Sequence, residues 1–415
     1  MKSFYLKYYL FPLLLALPVV HGQANTFILL PGNDLDALQK LIDQAAEYDT
    51  VLIKEGTYRL PPVTIAKPLT LLGEDRAVLH SIDGDELLLI TGRKVSIIGL
   101  VLTGVETSYL KERSAIRVVK THDFIIRDNV IKDCFFGIYL EHTGKGKIIN
   151  NRISGQATTE AGSGNAIHAW YCNQLDISEN DLSGHRDGIY FEFVNNSRIS
   201  KNHSHDNNRY GLHFMFSNDD KYYQNEFYGN GSGVAVMFSK NIEMISNRFS
   251  YNWGNASYGL LLKEINDALV SRNRFDHNTI GIFVEGSNRI TYNKNELREN
   301  GWGIKFSGGC STNQIKQNNF ISNSLDLVVS TKLSDNIIAE NYWSEYTGYD
   351  LNRDDIGDIP HYPVKLFSYI LDQVPEAIVL MRSFFVEIIN FSEKVSPVFT
   401  PKEVFDPLPQ MHPVK

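Results

Sequence analysis

Between residues 188 and 307 the chain repeats a short block: a glycine, then apolar and variable positions in alternation. The blocks read Gly188-Ile-Tyr-Phe, Gly211-Leu-His-Phe, Gly233-Val-Ala-Val, Gly259-Leu-Leu-Leu, Gly281-Ile-Phe-Val and Gly303-Ile-Lys-Phe. With the glycine as zero, the first and third residues are always large and apolar. This is the period of two expected of a strand with one face in a core and the other turned outward. A slip of one residue would put every apolar side chain on the wrong face, so the register is tightly specified. The glycines predict a sharp entry into each strand, with φ outside the range open to other residues.

A second, polar register runs through the same region. Asparagine returns at Asn129, Asn151, Asn180, Asn202, Asn225, Asn247, Asn273, Asn295, Asn318 and Asn341, mostly at intervals of 22 or 23 residues. Such a period is the signature of a solenoid in which each repeat is one coil. Coils about 4.8 Å apart let a buried amide bond its copies above and below. The pattern therefore predicts an all-β chain: a right-handed, single-stranded parallel β-helix of the pectate-lyase-like kind. Phe191, Phe214, Phe249, Phe275 and Phe320 fall at inward positions, where they would stack coil upon coil.

The ends depart from the repeat. Lys2 and Lys7 precede an apolar run from Tyr9 to Val20, and small residues follow, so residues 1–22 read as a secretory signal peptide cleaved before Gln23. Residues 23–113 form an N-terminal cap and irregular first coils. The cap is a helix from Leu35 to Ala46, begun by Asn33 or Asp34 and covering the open end of the solenoid. Regular coils are expected over 114–343. Residues 344–415 form a turn-rich segment and a tail of two helices interrupted at Pro375, which could cap the far end, dock onto a partner, or both. Two coils carry additional residues, within 155–164 and 253–258. Both excursions leave at the same corner, which marks that edge as a candidate working face.

Charge and cysteines narrow the partners. The full chain has a formal charge of −8; without the first 22 residues, 38 basic and 48 acidic residues give −10. With no basic stripe, the charge argues against nucleic acid and anionic polysaccharide as partners. Cys134, Cys172 and Cys310 sit on separate coils and read as unpaired, buried small hydrophobes.

Candidate chemistry lies on the outward positions. His213 and Met215 leave one strand on the same side, and Met237 stacks on Met215 one coil on. Imidazole and thioether are a ligand set suited to Cu(I), which favours soft donors and low coordination numbers. His168 lies two coils from His213, with Tyr190 between, and would belong to a second or transient site. The alternative is packing: outward Met and aromatic residues also serve as the bed for a loop or terminal helix. His185, His203 and His205 fall in corner segments, as turn histidines do. Asp350-Leu-Asn-Arg-Asp354 offers alternate oxygen donors for calcium, but Asp355 stands where a calcium loop has glycine, and a structural turn is the competing reading. β-Helices are also often uronan epimerases, lyases or hydrolases. Here the nearest carboxylate grouping is His185-Arg-Asp187 with Glu192, and fold alone assigns no activity.

Several stretches resemble the NosD family of exported proteins for nitrous oxide reductase maturation. They are Tyr210-Gly-Leu-His-Phe-Met-Phe-Ser-Asn-Asp-Asp, Gly233-Val-Ala-Val-Met-Phe-Ser, Tyr258-Gly-Leu-Leu-Leu-Lys, Asn300-Gly-Trp-Gly-Ile-Lys, Asn341-Tyr-Trp and Gly348-Tyr-Asp-Leu-Asn. The tail around Tyr362-Pro-Val, Arg382 and Pro401 is also similar. The resemblance implies a non-catalytic periplasmic subunit attached to the inner membrane through an ABC transporter of ATPase and permease subunits. It further implies that copper arrives from a lipid-anchored copper chaperone and passes to apo nitrous oxide reductase for its copper–sulfide cluster. His213, Met215 and Met237 lie inside the best-matching stretches. Phe384, Phe385 and Ile388 on the tail are then candidates for the transporter contact.

Overall fold

The computed structural model describes residues 24–395 and 403–415, except Asn33, Asp75, Ala161, Asn255, Thr331, Lys332, Ser334, Met381 and Arg382. The expected signal peptide lies outside the described residues. Each coil contributes one strand to each of three parallel sheets, which have 14, 13 and 12 strands among the described residues. They are numbered here in the order the chain visits them. Sheet 1 begins at Thr26–Leu29, sheet 2 at Gly56–Leu60 and sheet 3 at Val63–Ile65. All ladders are parallel and step from one coil to the next, as in Tyr210–Met215 beside Ser232–Met237. The sheets already hold residues 50–103, so the ladders run unbroken through the stretch expected to be irregular.

The inward assignment holds: Ile189, Phe191, Leu212, Phe214, Val234, Val236, Leu260 and Leu262 are fully buried. Phe249 stacks on Phe275 at 4.6 Å and Phe320 on Trp343 at 4.2 Å. Such aromatic pairs add about 0.5–1.5 kcal/mol beyond area burial. Cys134, Cys172 and Cys310 are free and buried, and burial pushes the Cys134 thiol up to about 12.

The asparagine ladder turns the corner between sheets 1 and 2. Each Nδ2 donates to the Oδ1 one coil on, as in Asn202 to Asn225 at 3.0 Å and Asn225 to Asn247 at 3.0 Å. The residue before each ladder asparagine is left-handed, with φ between 52° and 62° from Asp128 to Glu340. A second ladder lies five residues further along each coil, at the corner of sheets 2 and 3, through Asn207, Asn230, Asn252, Asn278, Asn300 and Asn323.

The strand-opening glycines have a different cause from the one expected. None of Gly188, Gly211, Gly233, Gly259, Gly281 and Gly303 has positive φ. They are required because the chain of the next coil passes too close: a Cβ on Gly233 would sit 2.3 Å from the carbonyl oxygen of Gly259. Close backbone approach, not backbone conformation, excludes a side chain.

Helix α1 (Ala37–Gln44) buries Leu38 and Ile42 against the first strands; its N-cap is Asp36, without a side-chain capping bond. The tail separates into two jobs. Helices α2 (Leu366–Gln373) and α3 (Phe384–Val395) lie on the outer face of sheet 3, where Phe367, Leu371 and Val386 pack on Leu325, Val328 and Trp302. The far end is closed by the returning segment around Asp406. Its buried carboxylate accepts from Glu340 N, Asn341 N, Asn341 Nδ2, Trp343 Nε1 and Leu408 N. The last ladder amide needs an acceptor, and Asp406 supplies it in place of another asparagine. No described helix is long and apolar enough to cross a membrane.

Candidate metal site

The outer face of sheet 3 carries the four expected copper-site residues, His168, His213, Met215 and Met237. Strand Asp187–Glu192 pairs with Tyr210–Met215, and that with Ser232–Met237, so Tyr190, His213 and Ala235 form one column and Glu192, Met215 and Met237 the next. Both long excursions leave between sheets 2 and 3 and border this face. The opposite border is a row of stacked rings: Tyr171 on Phe193 at 4.5 Å, then Phe216 and Phe238 at 5.2 Å steps. Phe216 and Phe238 directly follow Met215 and Met237 and are about two-fifths exposed.

Outward does not mean exposed here, which corrects the expectation of solvent-facing histidines. His213 is only 6% accessible and His168 only 7%, because the tyrosines around them close over the rings. Met215 and Met237 are half-buried. His168 is clamped between Tyr139 at 4.4 Å and Tyr190 at 4.7 Å, and Asn165 Nδ2 lies 3.0 Å from its Nδ1. Burial and neighbouring Arg186 push its pKa down to about 3, so it is a neutral, packed imidazole. Tyr190 separates it from His213, as the spacing predicted.

His213 is held differently. Its ring sits 5.1 Å from Tyr190 and 4.8 Å from Tyr210. Nδ1 lies 3.3 Å from Arg209 Nη2 and 3.8 Å from Asp187 Oδ2. Nε2 is buried and has no hydrogen-bond partner. An unpaired buried polar nitrogen costs roughly 1–3 kcal/mol, which makes this atom the conspicuous open valence of the face. Asp187 is fully buried and receives Arg209 Nε at 2.9 Å, Arg209 Nη2, and Tyr210 N at 3.2 Å. Burial raises its pKa, but the hydrogen bonds and charge of Arg209 lead the effects that hold the carboxyl below its ordinary value. These partners come from two adjacent coils, and the alternation that located His213 carries no signal for them.

His185, expected as an exposed turn histidine, is instead buried, with its pKa pushed down to about 4 by desolvation. His203 and His205, expected at a corner, lie instead on a strand of sheet 2 (His203–His205): His203 is exposed, and His205 is half-buried between Asp181 at 2.9 Å and Asp206 at 2.7 Å. The Asp350–Asp354 turn, the calcium alternative, is closed by its own hydrogen bonds. Asp350 accepts from Arg353 N and Asp355 N, Asn352 from Asp354 N, and Asp354 from Ile356 N, so the oxygens fold their own loop. Among the described residues no three His, Cys, Asp or Glu side chains gather to hold a metal.

The architecture defines a pectate-lyase-like parallel β-helix whose sheet 3 presents imidazole and thioethers. Solved structures share the fold. The A-module of a mannuronan C-5 epimerase from Azotobacter vinelandii aligns with TM-score 0.53 and 14% identity, over 76% of this chain and 96% of that one. A surface adhesin of Streptococcus pneumoniae aligns at 0.51 and 13%, over 77% and 90%. At these identities the likeness is one of fold. Residues 149–352 match the family described as "Periplasmic copper-binding protein (NosD)". Two relatives, each named "Probable ABC transporter binding protein NosD", are 26% identical to this chain. That of Stutzerimonas stutzeri covers 86% of this chain and 87% of its own length, and that of Pseudomonas aeruginosa covers 84% and 85%. The chain is thus similar to NosD proteins over most of its length.

Proposed function

We propose that this chain is a periplasmic copper-handling subunit that takes Cu(I) at His213, Met215 and Met237 and gives it up to a docking partner. The observation that carries the reading is the buried, unpartnered Nε2 of His213 on the same strand as Met215, with Met237 paired to Met215. Two thioethers and one imidazole suit a soft monovalent cation. Half-buried thioethers bordered by exposed rings leave one side of the ion open to ligand exchange. On this reading the ABC transporter's ATPase and permease are membrane partners, a lipid-anchored copper chaperone is the donor, and apo nitrous oxide reductase is the acceptor. His168, stacked between tyrosines, supports that wall and stays outside the primary ligand set. The exposed Phe384, Phe385, Ile388 and Phe391 of α3 are the proposed transporter contact.

The test is anaerobic Cu(I) titration against a competing chelator, with Met215→Ala/Met237→Ala alongside. Loss of about 100-fold or more in affinity in the variant is expected; equal binding by both proteins would place the site elsewhere. The uronan-active alternative receives only the shared fold. Asp187, the carboxylate nearest to His213, is buried and neutralised by Arg209, which leaves it a poor general base.

A further inference from the structure

His213 has two neighbours at Nδ1 that make opposite demands. A guanidinium has only donors, so Arg209 Nη2 at 3.3 Å requires Nδ1 to be an acceptor, with the ring proton on Nε2. A carboxylate has only acceptors, so Asp187 Oδ2 at 3.8 Å draws the proton to Nδ1 and frees the Nε2 lone pair. The observed distances favour Arg209. With the proton on Nε2, that N–H is buried with nothing to receive it.

We propose that Arg209 and Asp187 are positioning residues that compete for His213 Nδ1 and so decide whether Nε2 carries a proton or a ligating lone pair. In the resting chain Arg209 holds the closed form, in which Nε2 cannot ligate. When the guanidinium yields and Nδ1 passes to Asp187, the carboxylate–imidazole pair points a lone pair at the thioethers. Carboxylates behind ligating histidines fix the tautomer and strengthen the ligand in this way. Arg209 is partly exposed, with its guanidinium 5.0 Å from the Tyr210 ring, so a docking partner can reach it. A partner that supplies its own acceptor to Arg209 would thereby open the site, coupling docking to metal transfer. The consequence for metal rests on the copper reading above; the tautomer control does not.

The test reads the His213 tautomer directly by 15N NMR of histidine-labelled full chain, with His213→Gln to assign the signal, and measures Cu(I) affinity in parallel. Wild type without metal should show Nε2–H, and Cu(I)-loaded wild type Nδ1–H. Arg209→Lys keeps a cation beside Asp187 but lacks the second arm, so it should shift the resting ring toward Nδ1–H and raise Cu(I) affinity severalfold. Asp187→Asn should hold Nε2–H and lower affinity by about 10–100-fold. Opposite signs are the mark of the competition, since a merely structural pair would weaken binding in both variants. An Nδ1–H ring in resting wild type, or variants that change affinity in the same direction, would overturn the proposal. The wild-type spectra decide it even if a variant fails to fold. If the tautomers behave as expected and no form binds Cu(I), the copper reading falls and the proton control stands.

Discussion

Buried polar residues decide how single positions behave here. Asp220 is inaccessible, accepts only from Ser197 N at 2.7 Å, and leaves Oδ2 without a partner. Desolvation pushes its pKa up to about 8. An unfolded aspartate titrates near 3.9, so the folded chain binds this proton more tightly. Its contribution to stability is complete below about pH 4 and is lost as pH rises through 8. Asp220→Asn should therefore be more stable than wild type at pH 8 by thermal or urea unfolding, with the gain shrinking toward pH 4. A gain that grows as pH falls would contradict this. The inward alternation and the ten ladder asparagines were legible because each depends on a single period along the chain. The burial of His213 was not, because it is set by Tyr190 and Tyr210, and of its polar partners Asp187 comes from the neighbouring coil while Arg209 precedes the strand, outside the alternation. The second asparagine ladder, five residues after the first, was visible in the same repeat yet unread. The glycine blocks were located correctly and explained wrongly, since close approach of the next coil leaves no local trace.

At the scale of elements, the ends show how a solenoid stops. Both asparagine ladders finish on a buried aspartate: Asn341 on Asp406, and Asn323 on Asp326 at 3.1 Å. Asp406→Ala would orphan several buried donors at once and is expected to cost at least about 3 kcal/mol. Hydrogen exchange should accelerate at residues 340–343 and 403–411 while the ladder around Asn225 stays protected; uniform acceleration would mean that the cap is not a local unit. The tail helices were recognised as helices, but their seat on sheet 3 depends on Trp302, Leu325 and Val328, which the repeat places and the tail sequence does not mention. Phe367→Ala should undock α2 and α3, read as faster proteolysis within 364–395. Phe384→Ser with Phe391→Ser, at exposed positions, should leave that rate unchanged and weaken co-purification with the permease. Undocking by the exposed pair would argue that α3 packs on the solenoid through the face assigned to a partner.

Across the whole molecule, stacked coils turn a repeating sequence into a rigid plane, and rigidity is what a site of few donors requires. Sheet 3 brings His213, Met215 and Met237 to adjacent ladder positions, borders them with exposed rings, and carries α2 and α3 further along the same face. Metal, exchange partner and membrane partner would thus meet one side of the solenoid. The most direct test is X-ray absorption at the copper edge of the Cu(I)-loaded chain. A shell of two sulfurs and one imidazole nitrogen is expected, losing its sulfur in Met215→Ala/Met237→Ala. A shell of nitrogen and oxygen alone, or sulfur that persists in the double variant, would contradict the site.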